Sequence, residues 1–262
     1  MTGVRIRRVG LTVLQWLISA AIVYAAWELF ITPNLPGGFS ASAGEVVRQL
    51  RTWLTNGTAW DMTERTLSEA LAGLAVGSAA GILLAMAIGL SPPIVGRFFE
   101  PFVSALYAMP KFVLVPILFV WIGAGFTPRV IIVTISTLPI LTIYTLTGIR
   151  TVDPDRAWML RLYGANRRQV GAKLLLPHTI RHIVTGLTLA LPHAMFIAIG
   201  AEILFGDTNG IGGVLNTEAQ LFNPQAVFAS LTIATVLSVV LIGAVRLIST
   251  RLLGVDIRRS AV

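Results

Sequence analysis

The chain has 262 residues, 55% of them hydrophobic and only 12% charged, and its 20 Lys and Arg against 12 Asp and Glu give a formal charge of +8. With a mean hydropathy of +0.79, it carries more apolar surface than a water-soluble domain of this length can bury, so composition places it in a membrane. The absence of cysteine excludes disulfides, thiolate metal sites and cysteine nucleophiles.

A spanning helix needs about 20 predominantly apolar residues. Stretches of that kind occur at residues 11–31, 66–90, 102–124, 130–149, 183–205 and 226–248. They are continuous rather than alternating with period two, which argues against a β-barrel and for an all-α membrane protein of about six transmembrane helices. The first stretch is too long, and too poor in small residues at its end, for a cleaved signal peptide, so a retained first span is expected.

The charges sort by loop. Arg5, Arg7 and Arg8 precede the first stretch, Arg97 separates the second from the third, and Arg150, Arg156, Arg161, Arg167, Arg168, Lys173 and Arg181 fall between the fourth and fifth. Arg246, Arg251, Arg258 and Arg259 mark the C-terminal end. The alternate loops hold Glu45, Arg48, Arg51 and Asp61, then Arg129, then Asp207 and Glu218. With six spans, the positive-inside rule puts both termini in the cytoplasm. Residues 1–262 then read as one transmembrane unit. Within it, 1–31 form the N-terminal segment and first span, 32–62 an external loop, and 63–250 a five-span core that includes a cytoplasmic segment at 150–181; 251–262 form a cytoplasmic tail.

In chain order, Ser42-x-x-Glu45 has capping-box spacing ahead of an amphipathic stretch, Val46, Val47, Leu50, Trp53 and Leu54, that ends at Asn56-Gly57. This pattern predicts a surface helix resting on the outer interface. The second span carries Gly73, Gly77, Gly81, Ala85 and Gly89 at intervals of four. Such a stripe lets another helix backbone approach closely, either within the chain or from a second copy. In the third span, Pro110 and Pro116 remove backbone donors and are expected to bend the helix, around a pathway or for packing alone. Lys111 is expected to extend its ammonium toward the head groups, and Trp121 lies near the far end of the same stretch.

The 150–181 segment has helical punctuation. Asp153 can cap a helix whose first position is Pro154, with Asp155 in its first turn. Gly164 can end that helix in the left-handed conformation. Asn166 can then cap a second helix through Leu176, which Pro177 would interrupt or kink. Beyond it, Glu202 follows nearly twenty residues of apolar span and precedes GDTNGIGG, with glycines at 210, 212 and 213. A carboxylate at membrane depth is costly and is paired or turned toward water. His193, in the same span, reads as a packing or hydrogen-bonding group. No G-x-x-x-x-G-K-[ST], H-E-x-x-H or G-x-S-x-G motif and no cluster with metal-ligand spacing occurs, so nothing supports an enzyme.

Here the sequence resembles the permease subunits of binding-protein-dependent ABC importers. Their signature runs Glu-Ala-Ala, three residues, Gly, nine residues, Ile, one residue, Leu-Pro. In this chain nine residues follow Gly164, then Leu174 replaces Ile, and Leu175 precedes Leu176-Pro177; Trp158, Met159 and Leu160 occupy the Glu-Ala-Ala positions. AWELFI at 26–31, MPKFVLVPILFVWIGAG at 109–125, DP at 153–154, GLTLAL at 186–191, AEI at 201–203 and GIGG at 210–213 are similar to the nitrate, taurine and alkanesulfonate subgroup.

The resemblance implies a multi-pass subunit of the inner, cytoplasmic membrane that transports without being an enzyme. It implies a coupling helix built from Asp153, Pro154, Asp155, Trp158, Met159, Leu160, Arg161, Gly164, Ala165, Asn166, Arg167, Arg168 and Pro177. It further implies a translocation path or gate near Pro110, Lys111, Pro116, Trp121, Glu202, Gly210, Gly212 and Gly213. The partners implied are ATP-binding cassette subunits that carry the ATP and magnesium, an external solute-binding protein, the lipid bilayer and a second permease copy, most simply a homodimer; nucleic acid is not among them. The solute would be small, plausibly an anion such as a sulfonate or nitrate. An ATP-independent channel or scaffold is the alternative, and it has no need for a capped docking helix at 150–181.

Overall fold

The structure is a computed structural model that describes residues 18, 22, 25–31, 40–206 and 209–252. Both termini, most of the expected first span and Asp207 lie outside the described residues. Among those described the chain is helical and contains no strand.

Helix α1 (Ala43–Asn56) begins at the expected capping box. Ser42 Oγ accepts from Glu45 N at 3.3 Å, and Glu45 Oε2 accepts from Ser42 N at 2.9 Å. Gly57, at φ +90°, ends α1 and turns the chain directly into α2 (Thr58–Gly89). Val46 and Trp53 are buried against the second core cluster while Val47 and Leu54 stay exposed, as amphipathic spacing requires.

The centre of the molecule is formed by α2, α5 (Phe126–Arg150) and α8 (Leu176–Phe205). The glycine stripe of α2 faces α5. A Cβ at Gly81 would stand 2.5 Å from Leu138 O, and one at Gly77 would stand 2.8 Å from Thr134 O and overlap Thr137 Oγ1. Threonines of α5 use this proximity: Thr134 Oγ1 reaches Gly73 O at 3.3 Å and Thr142 Oγ1 reaches Gly81 O at 3.2 Å. The stripe therefore serves contact within the chain. In lipid, such backbone approach and interhelical bonding supply what the hydrophobic effect supplies in water. Helix α8 runs back along α5, with Gly148 close to His182 and Gly186 close to Tyr144.

Among the described residues, four helices are long and apolar enough to cross a membrane: Thr58–Gly89, Phe126–Arg150, Arg168–Phe205 and Pro224–Ser249. The expected third span is not one rod. Helix α3 (Pro93–Ala108) and α4 (Leu114–Ile122) meet at 79° across a short 3₁₀ turn, Lys111–Val113, and counting this bent pair as a single span brings the total to five. Pro110 cannot donate a backbone bond, and it holds Met109 in the extended region, at ψ 134°, because a residue before proline clashes in the helical one. Pro116 causes no kink; it sits in the first turn of α4, where a missing N–H costs nothing.

At Pro177 the α-helical pattern is interrupted, as expected, but the chain stays helical. The short α7 (Arg167–Val170) passes through a π turn, Gly171–Leu175, into α8, and Leu176 N bonds to Gly171 O, five residues back. This wider turn lies immediately before the proline and accommodates its missing donor. The 38 residues from Arg168 to Phe205 form one helical body, about 57 Å long at 1.5 Å per residue.

Helix α9 (Ile211–Gln220) and α10 (Pro224–Leu252) complete the described chain. Ile211, Ala226 and Ala229 pack with Trp53 and Met62 of α1 and α2.

Candidate functional site

Two constructions stand out at opposite ends of the α2–α5–α8 core. The first is an elbow beyond Arg150. Helix α6 (Pro154–Leu162) has Pro154 at its first position, and Asp153 Oδ1 accepts from Asp155 N at 2.9 Å. Gly164 has φ +82°, and its bend is closed by Gly164 N to Arg161 O at 2.9 Å and Ala165 N to Leu160 O at 3.0 Å. Asn166 and Gln169 then exchange side-chain and backbone bonds of 2.9 and 2.8 Å, a box that starts the next helix. The stretch from Asp153 to Asn166 forms this projection, and Pro177 stands just past the π turn that joins it to α8.

Nothing on α6 is buried. Trp158, Met159, Leu162 and Tyr163 are 63%, 52%, 65% and 89% exposed, and an open cleft of about 620 Å³ runs past Trp158, Asp155 and Arg161. These exposed apolar groups sit together on one well-capped projection.

The second construction is at the other end. Glu202, on α8, is fully buried. Thr66 Oγ1 on α2 donates to its Oε1 at 2.7 Å, Gly212 N donates to its Oε2 at 2.7 Å, and Ile211 N donates to Thr66 Oγ1 at 2.9 Å. Thr66 and Glu202 together cap α9, whose own N-cap residue, Gly210, has no side chain to do so. The negative carboxylate meets the positive end of the helix dipole. Gly210 and Gly212 are required by closeness: a Cβ at Gly210 would stand 2.5 Å from Glu202 Oε2, and one at Gly212 would overlap Ile199 O. Gly213 is buried in the first turn of α9.

One turn from Thr66 lies a feature that sequence reasoning missed. Glu69 on α2 and Arg129 on α5 form a buried ion pair, Nη1 to Oε1 at 2.8 Å, with side chains 0% and 2% exposed. Arg129 Nε also donates to Gly125 O at 2.7 Å. Expected in a loop, Arg129 instead sits in the first turn of α5 and points inward. A signal was present: Glu69 interrupts an apolar run, and Arg129 is the single cation between the third and fourth stretches. Beside the pair, a cleft of about 600 Å³ is bordered by Asp61, Glu64, Arg65 and Asn209.

The remaining candidates divide. Lys111 is buried, with Nζ donating to Tyr107 O and lying 5.5 Å from the Tyr107 ring centroid. This corrects the head-group expectation, since the break at Pro110 frees a helix-end carbonyl that the ammonium takes up. The adjoining Phe112 ring covers Gly200, where an added Cβ would overlap the ring, so the bent element abuts α8 two residues from Glu202. Trp121 stands on the surface of α4, 78% exposed.

Apolar helices packed by small residues, with a broken helix against the core and a capped, exposed elbow, define a helical membrane protein. Residues 77–259 match the family described as the inner-membrane component of binding-protein-dependent transport systems, and the chain belongs to that family. Among relatives, it is 24% identical to the taurine transport permease TauC of Escherichia coli over 74% of this chain and 70% of that protein. It is 22% identical to the putative aliphatic sulfonates permease SsuC of Bacillus subtilis, over 92% and 87%, and 29% identical to the riboflavin permease RibX of Chloroflexus aurantiacus, over 86% and 83%.

In fold it resembles a bacterial ABC transporter that imports the acidic polysaccharide alginate, with a TM-score of 0.63, 15% identity and coverage of 92% and 96%. It also resembles the MetNI methionine transporter in an inward-facing form, with a TM-score of 0.57, 17% identity and coverage of 74% and 97%.

Proposed function

We propose that this permease is the spanning subunit of an ATP-driven importer of a small solute, working as a pair of copies with two ATPase subunits and an external solute-binding protein. The observation that carries the reading is the elbow from Asp153 to Asn166, whose exposed Trp158, Met159, Leu162 and Tyr163 make it the docking surface for the ATPase. ATP and magnesium reside on that partner. With Trp158, Met159 and Leu160 where the family signature has Glu-Ala-Ala, docking rests on apolar contact together with Arg161, Arg167 and Arg168, and is less sensitive to salt than a purely ionic interface.

Both termini and residues 150–181 face the cytoplasm; α1 and the α9 end face outward. The Thr66–Glu202–Gly212 cap and the bent element around Pro110, Lys111 and Pro116 then belong to the outer gate. The solute is an organic or inorganic anion of the sulfonate or nitrate type, a reading supported by two of the relatives. The test is a Trp158→Asp, Leu162→Asp double variant. It should insert and dimerise like the wild type yet lose the co-purifying ATPase, whereas wild-type ATPase yield with full transport would overturn the proposal.

A further inference from the structure

At the root of α8, His178 and His182 lie four residues apart on one helical face, a pair that the sequence expectation of no metal-ligand cluster passed over although this is the spacing at which two imidazoles on a helix reach a common ion. Their Nε2 atoms converge on a point outside that helix: Thr151 Oγ1 lies 3.1 Å from His178 Nε2 and 3.4 Å from His182 Nε2. The ring centroids are 5.5 Å apart. Thr151 is the residue that closes α5, and its hydroxyl proton has a further acceptor in Thr147 O at 2.9 Å. Each imidazole presents either an N–H or a lone pair to that hydroxyl according to its tautomer; with both Nε2 atoms unprotonated, a cation at the same point would draw on the lone pairs of both rings.

The surroundings hold this arrangement. A Cβ on Gly148 would stand 2.9 Å from His182 Cβ, so α5 and α8 touch here and the imidazole is braced. The neighbouring Arg150 is turned away into a two-point ion pair with Glu100, Nη1 to Oε2 at 2.8 Å. Its charge is offset locally, which lessens repulsion of a dication.

We propose that His178 and His182 form a site for a divalent transition-metal ion of the class that favours imidazole, namely copper, zinc or nickel, with copper held most tightly. Thr151 Oγ1 contributes a weak oxygen donor or holds a metal-bound water, and solvent fills the remaining positions. With the imidazoles on α8 and the hydroxyl on α5, a bound ion ties together the two ends of the elbow segment. The inference stands on geometry alone and does not depend on the transport reading.

The test uses the full chain, purified without a polyhistidine tag, in lipid nanodiscs and titrated with Cu²⁺ under calorimetry and electron paramagnetic resonance. A single saturable site with hyperfine coupling to two imidazole nitrogens is expected. His178→Gln and His182→Gln should each leave one coupled nitrogen and no saturation at copper concentrations that fill the wild type, while His193→Gln should change nothing. Thr151→Val should weaken binding about tenfold, as loss of an outer-shell partner does. A wild type without a two-nitrogen signal, or a two-nitrogen signal that survives either histidine substitution, overturns the site; wild-type affinity in Thr151→Val overturns the tie to α5.

Discussion

Replacing Glu202 tests whether the buried carboxylate is an anchor for α9. In Glu202→Gln the amide oxygen can still accept from Gly212 N, but its NH₂ faces Thr66 Oγ1, which already accepts from Ile211 N. One charge-assisted bond becomes neutral and the other must be rearranged. Hydrogen bonds to charged groups contribute about 1.5–3 kcal/mol against about 0.5–1.5 for neutral ones, and the favourable dipole contact, about 0.3–1 kcal/mol, is lost as well. The expected cost is about 1–3 kcal/mol, felt where α9 meets α2 and α8 rather than throughout the bundle. Since 1.4 kcal/mol is about tenfold in an equilibrium constant, amide exchange at Ile211 and Gly212 should accelerate roughly 5- to 150-fold. Glu202→Ala, which leaves both donors buried without an acceptor, should cost about 2–6 kcal/mol at about 1–3 per group. Hydrogen-exchange mass spectrometry of the protein in lipid nanodiscs gives both values. Exchange in residues 209–220 that stays within twofold of wild type, or rises equally along α5, would refute the anchoring role.

The two glycines beside Glu202 should differ: Gly212→Ala meets the carbonyl of Ile199 and should be the more destabilising by thermal aggregation assay, whereas Gly210→Ala meets only the carboxylate, which can shift. Arg129→Met should cost up to about 3–5 kcal/mol by removing the nearer cation and leaving Arg65 Nε at 4.0 Å from Glu69, and Glu69→Leu with Arg129→Met should recover most of it, as read by urea titration in detergent. Gly164→Val, forced to φ +82°, should cost about 1–3 kcal/mol, confined to the elbow, so the variant should insert normally and lose ATPase binding on pull-down. Because the chain has no cysteine, single cysteines at 163 and 56 can be probed with an impermeant thiol reagent on intact cells; position 56 should label and position 163 should not.

What the sequence made legible was local. The Ser42–Glu45 box, the Asp153-Pro154 start, the Gly164 bend and the Asn166 cap each depend on residues within one turn of one another, and the structure contains all four. The apolar runs announced most of the long helices for the same reason. What stayed hidden depends on register between helices. The small-residue stripe of α2 could have met any partner, and only the placement of Thr134, Thr137 and Leu138 opposite it selects α5. Glu69 and Arg129 are sixty residues apart in the chain, so each reads as an isolated charge until that same register brings them to 2.8 Å. Glu202 announced its need for a partner but not that Thr66 and a backbone amide would supply it. How far each proline disturbs its helix depends on local hydrogen bonding rather than on register. A missing N–H breaks a helix only where the chain cannot reroute the bond, and a π turn before Pro177 and a first-turn position for Pro116 both avoid the loss.

These registers also determine how the two ends of the molecule can communicate. Residues 168–205 form one helical body from the elbow to Glu202, and α5 braces it through the close contacts of Gly148 with His182 and of Gly186 with Tyr144, which tolerate little sliding. A displacement at Gly164 therefore reaches the α9 cap unless something between them yields. The soft place is the π turn. Beside Gly171, Ala172 and Leu175 lies an apolar cavity of about 240 Å³, bordered by Ile82 and Met86 of α2 and by Thr145 of α5. The hydroxyls of Thr145 and Thr179 are buried there without a hydrogen-bond partner, although Thr142, Thr147 and Thr188 on the same helices bond back to the carbonyl four residues earlier. A widened turn beside this cavity has fewer packing contacts to lose on rearranging than the close-packed core.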